Sequence, residues 1–150
     1  ALFEPLASLE RVTARSPCVV EAQTDDVLAA SDVVLTASGT ATIQAAIHEC
    51  PMVVVYRLSP LTYWIGRRFV QIDAFSMVNL VAGHKIVPEF LQKDFTSVGV
   101  AVAALGLLTD DANARRTRED LRAVREKLGE PGGSRRAAEA VLEVATGKRP

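Results

Sequence analysis

A short polar turn, Ser38-Gly39-Thr40, separates an apolar run from a helix-forming stretch in "DVVLTASGTATIQAAIHECPMVVVY". Residues of these types at a helix start can hold an anion. The first backbone N–H groups of a helix lack partners, and the helix dipole places roughly half a positive charge there. Gly39 lets a ligand approach the backbone closely, and the hydroxyls of Ser38 and Thr40 can donate to phosphate oxygens. A serine or threonine can equally cap the helix while the glycine relieves a tight turn. On three residues alone both readings stand, and neither a Walker lysine nor a Gly-x-Gly-x-x-Gly pattern accompanies them.

Further polar residues fall within reach of that turn. Gln44 lies one helical turn beyond Thr40, where its amide can meet a sugar hydroxyl or simply face solvent. Arg57 follows a strand and can face a phosphate. The segment "YRLSPLTYWIGRRF" sets Trp64 and Phe69 beside Arg67 and Arg68, which suits either an anionic membrane surface or a core helix with a basic flank. Asn79, Glu89 and Gln92 are polar groups in apolar surroundings, where each can also be an ordinary loop or capping residue. His48 and His84 have no carboxylate or cysteine at useful spacing. No nucleophile–histidine–acid order, paired-carboxylate signature or zinc motif stands out, so no metal and no cofactor is expected.

The elements that must position these residues follow from pattern. "DVVLTA", Asp32 to Ala37, reads as a strand covered on both faces, and "MVVVYR" as a second buried strand. Between them Ile43, Ala46, Ile47 and Cys50 mark an inward helix face that ends at Pro51. "CVVEA" reads as a strand, and "TDDVLAAS" as a short helix capped by Thr24. Strands alternating with short helices imply parallel βαβ units. Beyond Tyr56, a helix is expected from about Pro60, a loop over "DAFSMVNLVAGHK", and a short helix over "VPEFLQKDF" with Pro88 at its first position. Thr96 or Ser97 caps a helix whose inward face is Val98, Ala101, Val102, Leu105 and Leu108. A helix over Asn113 to Leu128 carries the stripe Leu121, Val124, Leu128. A final helix packs through Ala137, Ala138, Val141, Leu142 and Ala145.

Composition bounds the rest. The chain has 150 residues, 49% of them hydrophobic, with a formal net charge of −1, which excludes binding nucleic acid through a general positive field. Ten of the 83 residues from Val27 to Thr109 are charged, against eighteen of the last 41, so a sheet-centred core precedes exposed helices. Residues 1–109 are therefore read as a sheet-centred α/β body, and 110–150 as its helical extension. Cys18 and Cys50 read as two reduced, buried thiols. No apolar run reaches the ~20 residues that span a bilayer. The opening "ALFEPLASLERVTAR" reads as a helix with neither a start signal nor an initiator methionine, so a longer natural protein is expected.

The ordered set Ser-Gly-Thr-Ala-Thr, Pro-Met-Val-Val-x-Tyr-Arg, Asn-Leu-x-Ala-Gly and Glu-x-Leu-Gln, from about Val27 to Thr96, resembles the C-terminal half of bacterial lipid-A-disaccharide synthase. A compatible helical pattern continues to about Ala145. The resemblance implies a Rossmann-like parallel sheet flanked by helices, one half of a two-domain B-type glycosyltransferase. It implies transfer from a UDP-2,3-diacylglucosamine donor to a 2,3-diacylglucosamine 1-phosphate acceptor, giving a β-1,6-linked disaccharide phosphate and UDP. By the same resemblance Ser38, Gly39 and Thr40 face the donor diphosphate and Gln44 the ribose. Arg57 lies near the donor pocket, and Asn79, Glu89 and Gln92 line the cleft. This chain departs from the family pattern at Gln44, where glutamate is usual, and at Val78, where proline is common.

The acceptor-activating residues of the family belong to an N-terminal domain outside these residues, so the chain alone is expected to be inactive. The implied setting is cytoplasmic and peripheral on the inner membrane, with the N-terminal domain and the membrane surface as partners. The architecture also admits a homodimer, since its terminal helices often cross to another domain or subunit. Two alternatives are another UDP-sugar transferase or epimerase of this fold, and a non-catalytic nucleotide-sugar-binding module.

Overall fold

The computed structural model describes residues 18–59 and 74–147. The helices read within residues 1–15 and from Pro60, together with Trp64, Arg67, Arg68 and Phe69, lie outside the described residues. Strands β1 (Val34–Ala37), β2 (Met52–Tyr56) and β3 (Glu89–Leu91) form a parallel sheet in the order β1-β2-β3. The helices are α1 (Thr24–Ala30), α2 (Thr40–Ile47), α3 (Met77–Ala82), α4 (Ser97–Thr109), α5 (Asp111–Leu128) and α6 (Gly133–Ala145). Ala37 pairs with Val55, and Tyr56 with Leu91, so the three strands end at nearly the same height.

Two apolar layers sandwich the sheet. On one face Met52 and Val54 pack with Ala45 and Ala46 of α2, Val78 of α3, and Leu121 and Val124 of α5. On the other, Val53 packs with Val100 and Leu107 of α4, with Phe90 and Phe95 at the margin. Complete burial of a side chain such as Met52 or Leu121 contributes about 1.5–3 kcal/mol, so the α5 side anchors the sheet. The α4 side is held by a close fit: a Cβ on Gly99 would lie 3.0 Å from the Phe90 ring.

Several local expectations change. Residues 77–82 form a helix, not a loop. Ser76 caps it, accepting from the Asn79 N–H, and Gly83 closes it at φ 87°. The expected helix over "VPEFLQKDF" is instead β3 followed by a 3-10 turn, Gln92–Asp94, with Gln92 at φ 53°. The Val54 N–H donates to Pro88 O, so pairing with β2 overrides the helix-start signal of that proline. "CVVEA" forms no strand, and Cys18, Val19 and Val20 are exposed. Gln23, not Thr24, occupies the cap position of α1. β1 is not covered on both faces, since Leu35 is 60% exposed.

Helix faces also rotate relative to expectation. α2 buries Thr42, Ala45 and Ala46 and leaves Ile47 exposed. Thr42 can turn inward because its hydroxyl donates to Gly39 O at 2.7 Å. In α4, Val98, Ala101, Val102, Leu105 and Leu108 are the outer face, whereas Val100 and Leu107 are buried. α5 keeps Leu121 and Val124 inside, joined by Ala114 and Thr117, while Leu128 is exposed. α6 buries none of its residues.

The two cysteines differ. Cys50 is 3% exposed, and burial pushes its thiol pKa up, whereas Cys18 is exposed. A thiol reagent under native conditions is expected to modify the exposed Cys18 rapidly and Cys50 only on unfolding. Mass spectrometry of the labelled chain checks this, and rapid double labelling would contradict the packing around Cys50.

Candidate functional site

The carboxyl ends of the three strands gather the polar residues. Ser38 follows β1, Arg57 follows β2 and Gln92 follows β3, so register alone brings them to one edge. This is where ligands collect in open parallel sheets. The Gln92 amide donates to Leu58 O at 2.9 Å, tying the segment after β2 to the end of β3. The guanidinium of Arg57 lies 5.3 Å over the Phe95 ring, a cation–π contact that fixes its stem and leaves the residue exposed.

The helix start at this edge has no side-chain cap. Gly39 occupies the cap position at φ 151°, ψ −161°, and neither hydroxyl beside it accepts from the first turn of α2. Ser38 instead donates to Phe75 O at 3.0 Å. No serine or threonine side chain caps the helix, while the glycine part of that reading holds, since Gly39 is the cap residue and makes the turn at positive φ. The N–H groups of Thr40 and Ala41 lack intrahelical acceptors, as first-turn groups must. Gln44 is exposed one turn further along α2.

Beneath the edge sits a second set of contacts. Asn79 is fully buried: its amide donates to Val87 O at 3.0 Å, and its oxygen accepts from Ile86 N at 2.8 Å and Val87 N at 3.1 Å. Glu89 accepts from the N–H groups of Phe75 and Ser76 and from the Ser76 hydroxyl. Burial alone would push the Glu89 carboxyl up, but these hydrogen bonds outweigh it and hold its pKa below the usual 4.5. A group lowered on folding stabilises the fold above its unfolded pKa and loses that contribution as pH falls through the folded value. Stability measured by urea melts is expected to decline below about pH 4.5, and less steeply in Glu89→Gln.

Two further titratable groups are paired on the surface. His48, for which no partner was expected, meets Asp25 at 2.9 Å on the surface. Glu49 joins Arg122 at 2.8 Å and Arg125 at 3.3 Å, in a groove of about 930 Å³ beside α5 and the start of α6. No group of His, Cys, Asp and Glu among the described residues is arranged to hold a metal ion. No helix among them is long and apolar enough to cross a membrane.

Sequence reasoning missed the part played by Ser76 and the backbone of Phe75. The available signal was Ser76 and Gly83 bracketing six residues, a cap and a stop around a short helix.

Comparison with known proteins identifies relatives of this chain. A family profile described as lipid-A-disaccharide synthetase matches residues 4–144. The chain is 38% identical to the lipid-A-disaccharide synthase of Myxococcus xanthus over 146 residues, 93% of this chain and 38% of the relative. It is 42% identical to that of Geobacter sulfurreducens over 119 residues, 79% of this chain and 31% of the relative. With the Anaeromyxobacter dehalogenans protein of the same name (strain 2CP-C) the identity is 44% over 126 residues, 84% and 33% respectively. The chain thus spans about a third of the length of the curated relatives it matches.

Proposed function

The chain belongs to the lipid-A-disaccharide synthetase family, and from that premise we propose that it is the donor-binding half of a glycosyltransferase. The enzyme joins UDP-2,3-diacylglucosamine to 2,3-diacylglucosamine 1-phosphate, releasing UDP and forming lipid A disaccharide 1-phosphate. The observation that carries this reading is the start of α2, free of any side-chain cap, at the carboxyl edge of a parallel sheet. Ser38, Gly39 and Thr40 form the diphosphate turn, Gln44 faces the ribose and Arg57 borders the donor pocket. Asn79, Glu89 and Gln92 serve the same edge from beneath.

The chemistry assigned to this half is electrostatic. As the bond between the sugar's anomeric carbon and the diphosphate breaks, negative charge grows on the departing UDP. Backbone N–H groups aimed at those oxygens stabilise the transition state more than the ground state. The group that deprotonates the acceptor hydroxyl belongs to the N-terminal domain of the full-length protein, and the present chain alone is inactive. The lipid-bearing substrates bring the enzyme to the cytoplasmic face of the inner membrane, where Trp64, Arg67, Arg68 and Phe69 contact its surface. The domain division at residue 109 and a homodimeric assembly belong to the same proposal.

The test is an assay of the full-length gene product with both diacylated substrates, reading UDP release and disaccharide phosphate by mass spectrometry. Formation of both products supports the reading. Release of UDP with a different acceptor points to another UDP-sugar transferase of this fold.

A further inference from the structure

One peptide group at the sheet edge has two ties. The N–H of Ser76 donates to Glu89 Oε1 at 2.7 Å. The carbonyl of the same peptide, that of Phe75, accepts the Ser38 hydroxyl at 3.0 Å. The Phe75 N–H adds bonds of 3.0 and 3.2 Å to the two carboxylate oxygens, and the Ser76 hydroxyl donates to Oε1 as well. Glu89 therefore fixes the plane of the peptide that Ser38 reads. Hydrogen bonds to an anion are stronger than neutral ones, and bonds in series polarise one another, which makes the Phe75 carbonyl a better acceptor. The Ser38 proton is held toward the loop, so the oxygen offers lone pairs to anything on its open side. Lone pairs repel phosphate oxygens and attract hydroxyl protons.

We infer that Glu89 is a positioning residue acting through the Phe75–Ser76 peptide, and that it fixes Ser38 as an acceptor for a ligand hydroxyl. Phosphate oxygens then fall to the backbone N–H groups of Thr40 and Ala41. The inference rests on the donor-binding reading above and changes one contact in it: Ser38 belongs to the turn at the diphosphate but meets a ligand hydroxyl, not a phosphate oxygen. A carboxylate is needed for this relay. Glutamine can place its oxygen where Oε1 stands, but its NH2 group then faces the Phe75 N–H, which loses the shorter of its two bonds, and the charge that polarises the peptide is gone.

Two measurements on the full-length gene product test it. In backbone amide NMR spectra, Glu89→Gln is expected to move the Gly39 and Thr40 resonances, and to leave them nearly unmoved in a Ser38→Ala background. Equal displacement in both backgrounds overturns the relay. If Glu89→Gln does not fold, Glu89→Asp, which keeps the charge but withdraws it by one methylene, gives the same comparison. In titrations, Ser38→Ala is expected to weaken UDP about three- to tenfold, the worth of one hydrogen bond, and to leave inorganic pyrophosphate unchanged. Equal weakening of both ligands overturns the acceptor assignment. If the unaltered protein binds neither, the donor-binding reading falls, and the NMR comparison still decides the relay.

Discussion

Asn79→Ala is expected to destabilise the fold by about 3–5 kcal/mol, measured as a shift of the urea midpoint without a change in slope. The side chain is fully buried and makes three hydrogen bonds, one donated to Val87 O and two accepted from Ile86 and Val87 N–H. Alanine removes the partner of all three backbone groups, two of them on the buried Val87. Each such group costs about 1–3 kcal/mol, which outweighs the dispersion attraction of the few atoms removed. Asn79→Asp is the sharper variant. Its oxygens can still accept from both N–H groups, but it cannot donate to Val87 O and it buries a charge. A loss as large as that of alanine is expected. If Asn79→Ala melted like the parent protein but lost UDP affinity, the residue would be a ligand contact and the scaffold assignment would be wrong.

Gly39→Ala is expected to weaken UDP binding at least about tenfold, by calorimetry on the full-length gene product. Gly39 sits at φ 151°, ψ −161°, a region essentially confined to glycine. No protein atom lies within 4 Å of where a Cβ would stand. The substitution therefore meets no steric wall, and its cost is backbone strain of about 1–3 kcal/mol. The chain can relieve that strain by rotating the turn, which swings the N–H groups of Thr40 and Ala41 away from a bound diphosphate. Affinity should fall more than stability. Unchanged UDP affinity would remove the turn from the donor site.

The contrast between these two residues marks what was legible in the sequence. The strand-turn-helix-strand unit around Gly39 could be read directly, because periodicity switches there from an apolar strand to a helix and back. β3 could not be read, because it is short and takes its form from distant partners, and α3 carries only the faint bracket of Ser76 and Gly83. Pro88 signals a helix start, yet pairing with β2 wins, and Glu89 thereby meets Phe75 and Ser76. The face of α4 was inverted for another reason. "SVGVAVAALGLLT" contains no charged residue, so both of its faces look apolar and its period selects neither. In α2, a buried threonine disguised the inward face, since its hydroxyl is satisfied locally at Gly39 O.

The polar residues of the edge were likewise visible as types but not as roles. Asn79, Glu89 and Gln92 stand out as hydrophilic residues among apolar neighbours. Nothing in their spacing tells that Asn79 is sealed inside while Arg57 rests on Phe95. Those outcomes depend on which carbonyls and rings the fold brings near, and a single sequence does not encode that locally.

The fit between Gly99 and Phe90 has a reach beyond packing. β3 is only three residues long, too short for its ladder to specify register firmly, and a slip by one residue makes Glu89 and Phe90 exchange faces. The Phe90 ring, seated against a position where even a methyl group is crowded, acts as an indexing pin for that strand. Whether the carboxylate arrives beneath Ser38 is thus decided on the far side of the sheet, by an amino acid that has no side chain.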